Sequence, residues 1–144
     1  MLLFCLPVSA LGAEDELLIS QERFPDRNFR KYVSSQFDGD LNGQLSQAEL
    51  QPVTELLIAD LGIADLTGIE YFESLQVLDC SDNQLNHLNL AENKNLKMLN
   101  CRDNGLSELD VSSCESLKSI DCSNNELTGL TLPAHRLCFS SSWY

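Results

Sequence analysis

From residue 75 onward, apolar residues recur in a fixed order. LQVLDCSDNQL begins at Leu75, LKMLNCRDNGL at Leu96 and LKSIDCSNNEL at Leu117, so the period is 21 residues and each unit has the form L-x-x-L-x-C-x-x-N-x-L. A unit of this length cannot bury its apolar side alone and must stack on its neighbours, which predicts a solenoid. A fainter copy comes first: Val53, Leu56, Ile58 and Ile63 stand 22 residues before Leu75, Leu78, Cys80 and Leu85. Successive strand side chains point to opposite faces. The L-x-C core of each unit therefore predicts a short strand with Leu78, Leu99 and Ile120, and then Cys80, Cys101 and Cys122, facing inward. The residues between them face solvent on the concave side and form the expected binding surface: Val77, Asp79, Ser81, Met98, Asn100, Arg102, Ser119, Asp121 and Ser123. Asn83, Asn104 and Asn125 fall where the chain leaves each strand, where a side-chain amide can satisfy unpaired backbone groups of adjacent coils.

Upstream of the repeats the period changes. Pro25 to about Phe37 predicts a helix with Pro25 preset for its first turn and an apolar stripe of Phe29, Val33 and Phe37, flanked by Tyr32. The next twelve residues, DGDLNGQLSQAE, match the EF-hand calcium loop. Counted from Asp38 as position 1, Asp40 is 3, Asn42 is 5, Gly43 is 6, Gln44 is 7, Ser46 is 9 and Glu49 is 12. Side chains at 1, 3 and 5 converge, glycine permits the turn, residue 44 offers its carbonyl, Ser46 can hold a water, and Glu49 can close the shell with two oxygens. All of these are hard oxygen donors, which suit Ca²⁺ and not Zn²⁺. The exit helix starts near Ser46 and must be short, because Pro52 follows and VTELLI is needed as the first strand. The expected fold is an α/β solenoid: a short right-handed leucine-rich-repeat coil with parallel strands on its concave face, capped at the N-terminus by an EF-hand helix-loop-helix.

The repeat form L-x-x-L-x-C-x-x-N-x-L resembles the secreted or cell-surface leucine-rich-repeat proteins of bacteria. It is internalin-like in LGIADLTGIEYFESL, residues 61 to 75, where Ile63, Leu66, Ile69, Phe72 and Leu75 recur about every third residue as a convex-side 3₁₀ turn would require. Some such proteins also carry a segment similar to FPDRNFRKYV followed by an EF-hand-like loop. The resemblance spans about residues 24 to 132 and implies a parallel-sheet solenoid that binds other macromolecules, a protein or a glycan.

The first thirteen residues, MLLFCLPVSALGA, are uncharged and mostly apolar, end in small residues before the acidic EDE, and read as a signal peptide. The expected organisation is signal peptide 1–13, linker 14–23, EF-hand cap 24–52, about four leucine-rich repeats over 53–137, and an irregular tail 138–144. Composition adds one exclusion: 22 acidic against 9 basic residues give a net charge of −13, which opposes nucleic acid or an anionic membrane as partner. Of the six cysteines, Cys80, Cys101 and Cys122 should stack as buried free thiols in leucine slots, the alternative being a disulfide between two of them. Cys114 takes the slot of Asn93, again a repeat position, and reactivity is expected first at Cys138, in the tail, with Cys114 the one other thiol open to native labelling. No catalytic constellation accompanies His87, His135 or the turn serines, so an enzyme is not expected. The function expected is a secreted or surface-exposed protein-interaction module with a calcium-stabilised cap. The alternatives are a calcium-responsive sensor and a truncated fragment of a larger surface adhesin.

Overall fold

The computed structural model describes residues 16–134 and the backbone of 138–139. The expected signal peptide, the start of the linker, His135 and most of the tail lie outside the described residues. A five-stranded parallel sheet runs through the repeats: β3 (Glu55–Leu57), β4 (Val77–Asp79), β5 (Met98–Asn100), β7 (Ser119–Asp121) and β9 (Cys138–Phe139), paired in that order. The register aligns Leu56, Leu78, Leu99 and Ile120 across four strands, and all four are buried. This is the 22- and then 21-residue period made physical, one strand per coil over about four coils. The tail departs from expectation, because Cys138–Phe139 continues the sheet beside β7.

A second parallel pair, β6 (Glu108–Asp110) with β8 (Gly129–Thr131), lies off the main sheet, and Asn89 bridges to Asp110 beside it. This pair is an addition to the expected single concave sheet. Its signal was the repeated L-x-L or L-x-V triplet at Leu88, Leu109 and Leu130. In the first full coil the corresponding stretch is a 3₁₀ turn at Ile69–Tyr71, as the every-third-residue spacing predicted, and Ile63, Leu66, Ile69, Phe72 and Leu75 are all buried.

The N-terminal helix α1 (Arg27–Phe37) begins later than Pro25. Asp26 is its N-cap, with Oδ1 accepting from the amides of Asn28 and Phe29 at 2.8 and 2.9 Å, so the proline sits just outside the helix it was expected to start. An aspartate accepting two orphan amides is the stronger start signal. Asp26 also reaches the solenoid, accepting from the Ala64 amide at 2.8 Å, while Asn28 Nδ2 donates to the Gly62 carbonyl at 3.0 Å. Phe29 and Val33 are fully buried, and aromatic contacts tie the cap to the first coil: Phe24 to Tyr71 at 5.9 Å and Phe37 to Phe72 at 5.5 Å between ring centroids. The helix therefore covers the open end of the repeat core, as terminal units of a solenoid must. The exit helix α2 (Gln47–Leu50) is a single turn.

Part of the expected linker is structured. Leu17–Leu18 forms β1, antiparallel to β2 (Gln44–Leu45) inside the acidic loop, with Leu17 opposite Leu45. No helix among the described residues is long and apolar enough to cross a membrane.

Candidate metal centre and concave face

The acidic loop closes on itself through its own carboxylates. Asp38, only 6 % exposed, accepts from the amides of Asn42 and Gly43, both at 3.0 Å. Asp40 accepts from the Asn42 amide at 3.2 Å and from its side-chain Nδ2 at 3.0 Å, and Asn42 Oδ1 accepts from the Gln44 amide at 2.7 Å. Two residues with positive φ, Leu41 (60°) and Gly43 (80°), turn the chain back. Glycine adopts this region freely, whereas leucine does so at a cost that the surrounding loop must offset. From the far side, Glu49 Oε1 accepts from the Gly39 amide at 2.9 Å, and Oε2 accepts from the Ser46 amide and hydroxyl at 2.9 and 2.8 Å. These donors, the Ser46 amide foremost, hold the Glu49 carboxyl below its ordinary value.

Carboxylate oxygens of Asp38, Asp40 and Glu49 thereby lie within 4.8 Å of one another. Anionic groups this close repel unless they share a cation or proton. Only hard oxygen ligands are present, so the donor set fits Ca²⁺ by its chemistry. Asn42 joins the cluster through Asp40. The Ser46 hydroxyl is taken up by Glu49, and Gln44 lies in β2. One neighbour was missed: Glu16 Oε2 accepts from Asn42 Nδ2 at 3.3 Å, because β1 carries it alongside the loop.

On the concave sheet, strand register sets two solvent-facing rows. One runs Glu55, Val77, Met98 and Ser119; the other runs Leu57, Asp79, Asn100 and Asp121. Leu57 is 60 % and Met98 52 % exposed. Leu57 went unremarked in the sequence because the first coil's pattern is faint. The turn residues beyond the strands behave differently from expectation. Ser81 is buried, its hydroxyl donating to Asp79 at 2.6 Å, and Ser123 makes the same bond to Asp121. These serines close the turn after each strand, so their hydroxyls are engaged within the chain. Arg102 is exposed but bonds to Asp103 at 2.5 Å.

The asparagine ladder matches its expected role. Asn104 Nδ2 donates to the carbonyls of Cys80, Cys101 and Arg102 while Oδ1 accepts from the Leu85 amide; Asn83 and Asn125 repeat this one coil earlier and later. The residue before each asparagine, Asp82, Asp103 or Asn124, takes a left-handed φ of 52 to 54°, which aspartate and asparagine tolerate best among non-glycine residues.

Cys80, Cys101, Cys114 and Cys122 are free thiols. Cys80 and Cys101 are fully buried, whereas Cys122 is only half-buried. Burial pushes Cys80 up to about 12 and raises Cys101 and Cys122 for the same reason. Cys114 sits in the core at the repeat position its slot implied. It is fully buried, its thiol donates to the Leu90 carbonyl at 3.6 Å, and burial pushes it up to about 11, so it is an inert core thiol. Asn93 does the same work one coil earlier, its Nδ2 donating to the Ile69 carbonyl at 3.0 Å.

Known proteins share this architecture. A family profile of leucine-rich repeats in two copies matches residues 94–134. Internalin J of Listeria monocytogenes serotype 4b (strain F2365) is 36 % identical over 70 residues, covering 49 % of this chain and 8 % of that protein. Among solved structures, the functional domain of InlJ from Listeria monocytogenes, which includes a cysteine ladder, superposes with a TM-score of 0.71 at 30 % identity, over 91 % of this chain and 31 % of that one. The internalin InlF of Listeria monocytogenes strain 4b F2365 shares the fold with a TM-score of 0.64 at 23 % identity, over 87 % of this chain and 41 % of that one. The chain thus spans about a third of the InlJ domain and less than a tenth of internalin J. The described residues form an internalin-like leucine-rich-repeat solenoid of about four turns with a helical N-terminal cap.

Proposed function

We propose that this chain is a secreted or cell-surface interaction module whose concave sheet engages a protein ligand. In the same reading the 38–49 loop is an EF-hand calcium site that stabilises the cap. The observation that carries the binding role is the pair of aligned rows on the concave sheet, with Leu57 and Met98 both more than half exposed among acidic and amide neighbours. Large aliphatic side chains held open on a rigid sheet and rimmed by polar groups suit the apolar anchor of a partner protein. The acidic surface, with its net charge of −13, favours a partner of opposite charge.

Calcium is supported by the convergence of Asp38, Asp40 and Glu49, with Asn42 and the residue 44 carbonyl completing the loop pattern. A bound ion would neutralise this cluster and fix α1 to α2. The loop is tied to β1, and α1 is packed against Phe72, which favours a structural ion over a sensor that must open. Binding is tested by capture from extracellular protein preparations with wild type, Met98→Glu with Leu57→Glu, and a control altered away from the sheet at Glu115→Lys. Ligands should be lost only in the concave-face variant. Equal capture by all three would refute the concave site.

A further inference from the structure

We propose that a cavity on the other side of the solenoid binds an aliphatic chain ending in a cationic amine or guanidinium, such as a lysine or arginine side chain. The cavity holds about 320 Å³ between two successive coils, and none of its lining residues belongs to the five-stranded sheet. This inference is therefore independent of the concave-face reading. Its size is at the small end of the roughly 300–1,000 Å³ typical of ligand pockets, suited to one long side chain or a small molecule.

The walls divide into two kinds. Leu66 and Leu88 are buried apolar residues, and Asp65, Glu70 and Glu92 bring carboxylates to the same space. An aliphatic stem can lie along the first while its charged head meets the second. Two of the acids belong to a fixed frame. Asp65 Oδ1 accepts from the Thr67 amide and hydroxyl at 2.8 and 2.7 Å, and Glu70 accepts from the Gly68 amide at 2.8 Å. Gly68 packs against Phe24 and admits no larger residue: its φ is 107°, and a Cβ there would lie 2.2 Å from the Phe24 ring. A pocket held this way binds without the cost of ordering its own walls.

Among the described residues, no lysine or arginine lines the cavity. The chain's own cations already test its edges. Lys94 lies 3.6 Å from Glu92 as an exposed pair, worth little in water, and Arg23 sits 5.8 Å from the centroid of the Tyr71 ring, another lining residue. His87 Nε2 lies 3.6 Å from Asp65 and is well exposed, so the ring can swing aside for a ligand. An anionic ligand would meet three carboxylates and be repelled.

The test is an NMR titration of the ¹⁵N-labelled chain with N-acetyl-lysine methylamide, its Nε-acetylated neutral counterpart, and a short lysine-containing peptide. Saturable shifts are expected in the amides of Thr67, Tyr71, Asn89 and Ala91, at least tenfold weaker for the neutral compound. Asp65→Asn combined with Glu92→Gln keeps the turn's acceptors, removes two charges, and should weaken binding at least tenfold. Ala91→Trp, at an exposed lining position, should block the cavity without disturbing the core. Binding of the free amine would identify small amines as sufficient ligands, and binding of the peptide alone would identify a partner's side chain. The proposal is overturned if neither cation gives saturable shifts, if the neutral compound binds equally, or if binding persists in a folded Ala91→Trp variant.

Discussion

Leu17 lies directly opposite Leu45 in the antiparallel pair of β1 and β2, and both side chains are fully buried. The chain's own N-terminal segment thus closes the strand edge inside the acidic loop, with the Ile19 amide donating to the Gly43 carbonyl at 3.0 Å. Leu17→Ala removes that buried anchor and should cost about 2–5 kcal/mol of stability. Urea denaturation checks it. If the pair also sets the loop's shape, the same variant weakens Ca²⁺ in isothermal titration, whereas a change below about 0.5 kcal/mol would mean β1 is incidental.

Asn104 joins three carbonyls and one amide of two coils, so Asn104→Ala leaves several part-buried backbone groups unpaired together. A loss of about 1–3 kcal/mol or more is expected. Asn95→Ala, which removes one exposed bond to the Glu73 carbonyl, should stay within about 0.5 kcal/mol and serves as the control. Equal effects from the two would show that the ladder carries no special share of stability.

The thiols make stability fall in alkali. Cys80, Cys101 and Cys114 titrate higher when folded, because burial penalises the thiolate. The unfolded chain therefore releases protons first as pH rises. Their stabilising contribution is complete below the unfolded value, near 9, and declines until pH reaches the folded values, about 11 for Cys114 and about 12 for Cys80. Each thiol should contribute a slope of about 1.4 kcal/mol per pH unit in that window. Urea melts at pH 8 and pH 10 test this, and Cys101→Ala should flatten the dependence. With Cys5 and Cys138 replaced by serine, Ellman's reagent should react slowly with Cys122 and reach the others only after denaturation. Rapid native labelling of Cys101 would contradict the burial.

The repeat was legible because one period placed Leu56, Leu78, Leu99 and Ile120 on one side of four strands, and burial enforces that choice at every coil. The acidic cluster was legible in part, since the spacing set Asp38, Asp40 and Glu49 in one loop, and their carboxylate oxygens lie within 4.8 Å of one another. What escaped was decided by contacts distant in sequence. Leu17–Leu18 has no periodic signal of its own and becomes a strand only because β2 offers an edge. Ser81 alternates as a surface residue would, yet its bond to Asp79 draws it into the turn. Pro25 satisfied a helix-start preference, but Asp26, bonded both to α1 and to Ala64, set the boundary.

In the proposed function, calcium in the 38–49 loop stabilises the cap, which in turn covers the solenoid. Thermal melting of the chain in excess Ca²⁺ and in EDTA addresses it most directly. A ligand of the folded state at ten times its Kd adds about 1.4 kcal/mol. That should raise Tm by about 3–8 °C if cap and repeats unfold together. Gln44→Ala should keep the shift, because position 7 contributes its backbone carbonyl, while Glu49→Ala should abolish most of it. Identical melting of the wild-type chain in Ca²⁺ and in EDTA would contradict the account.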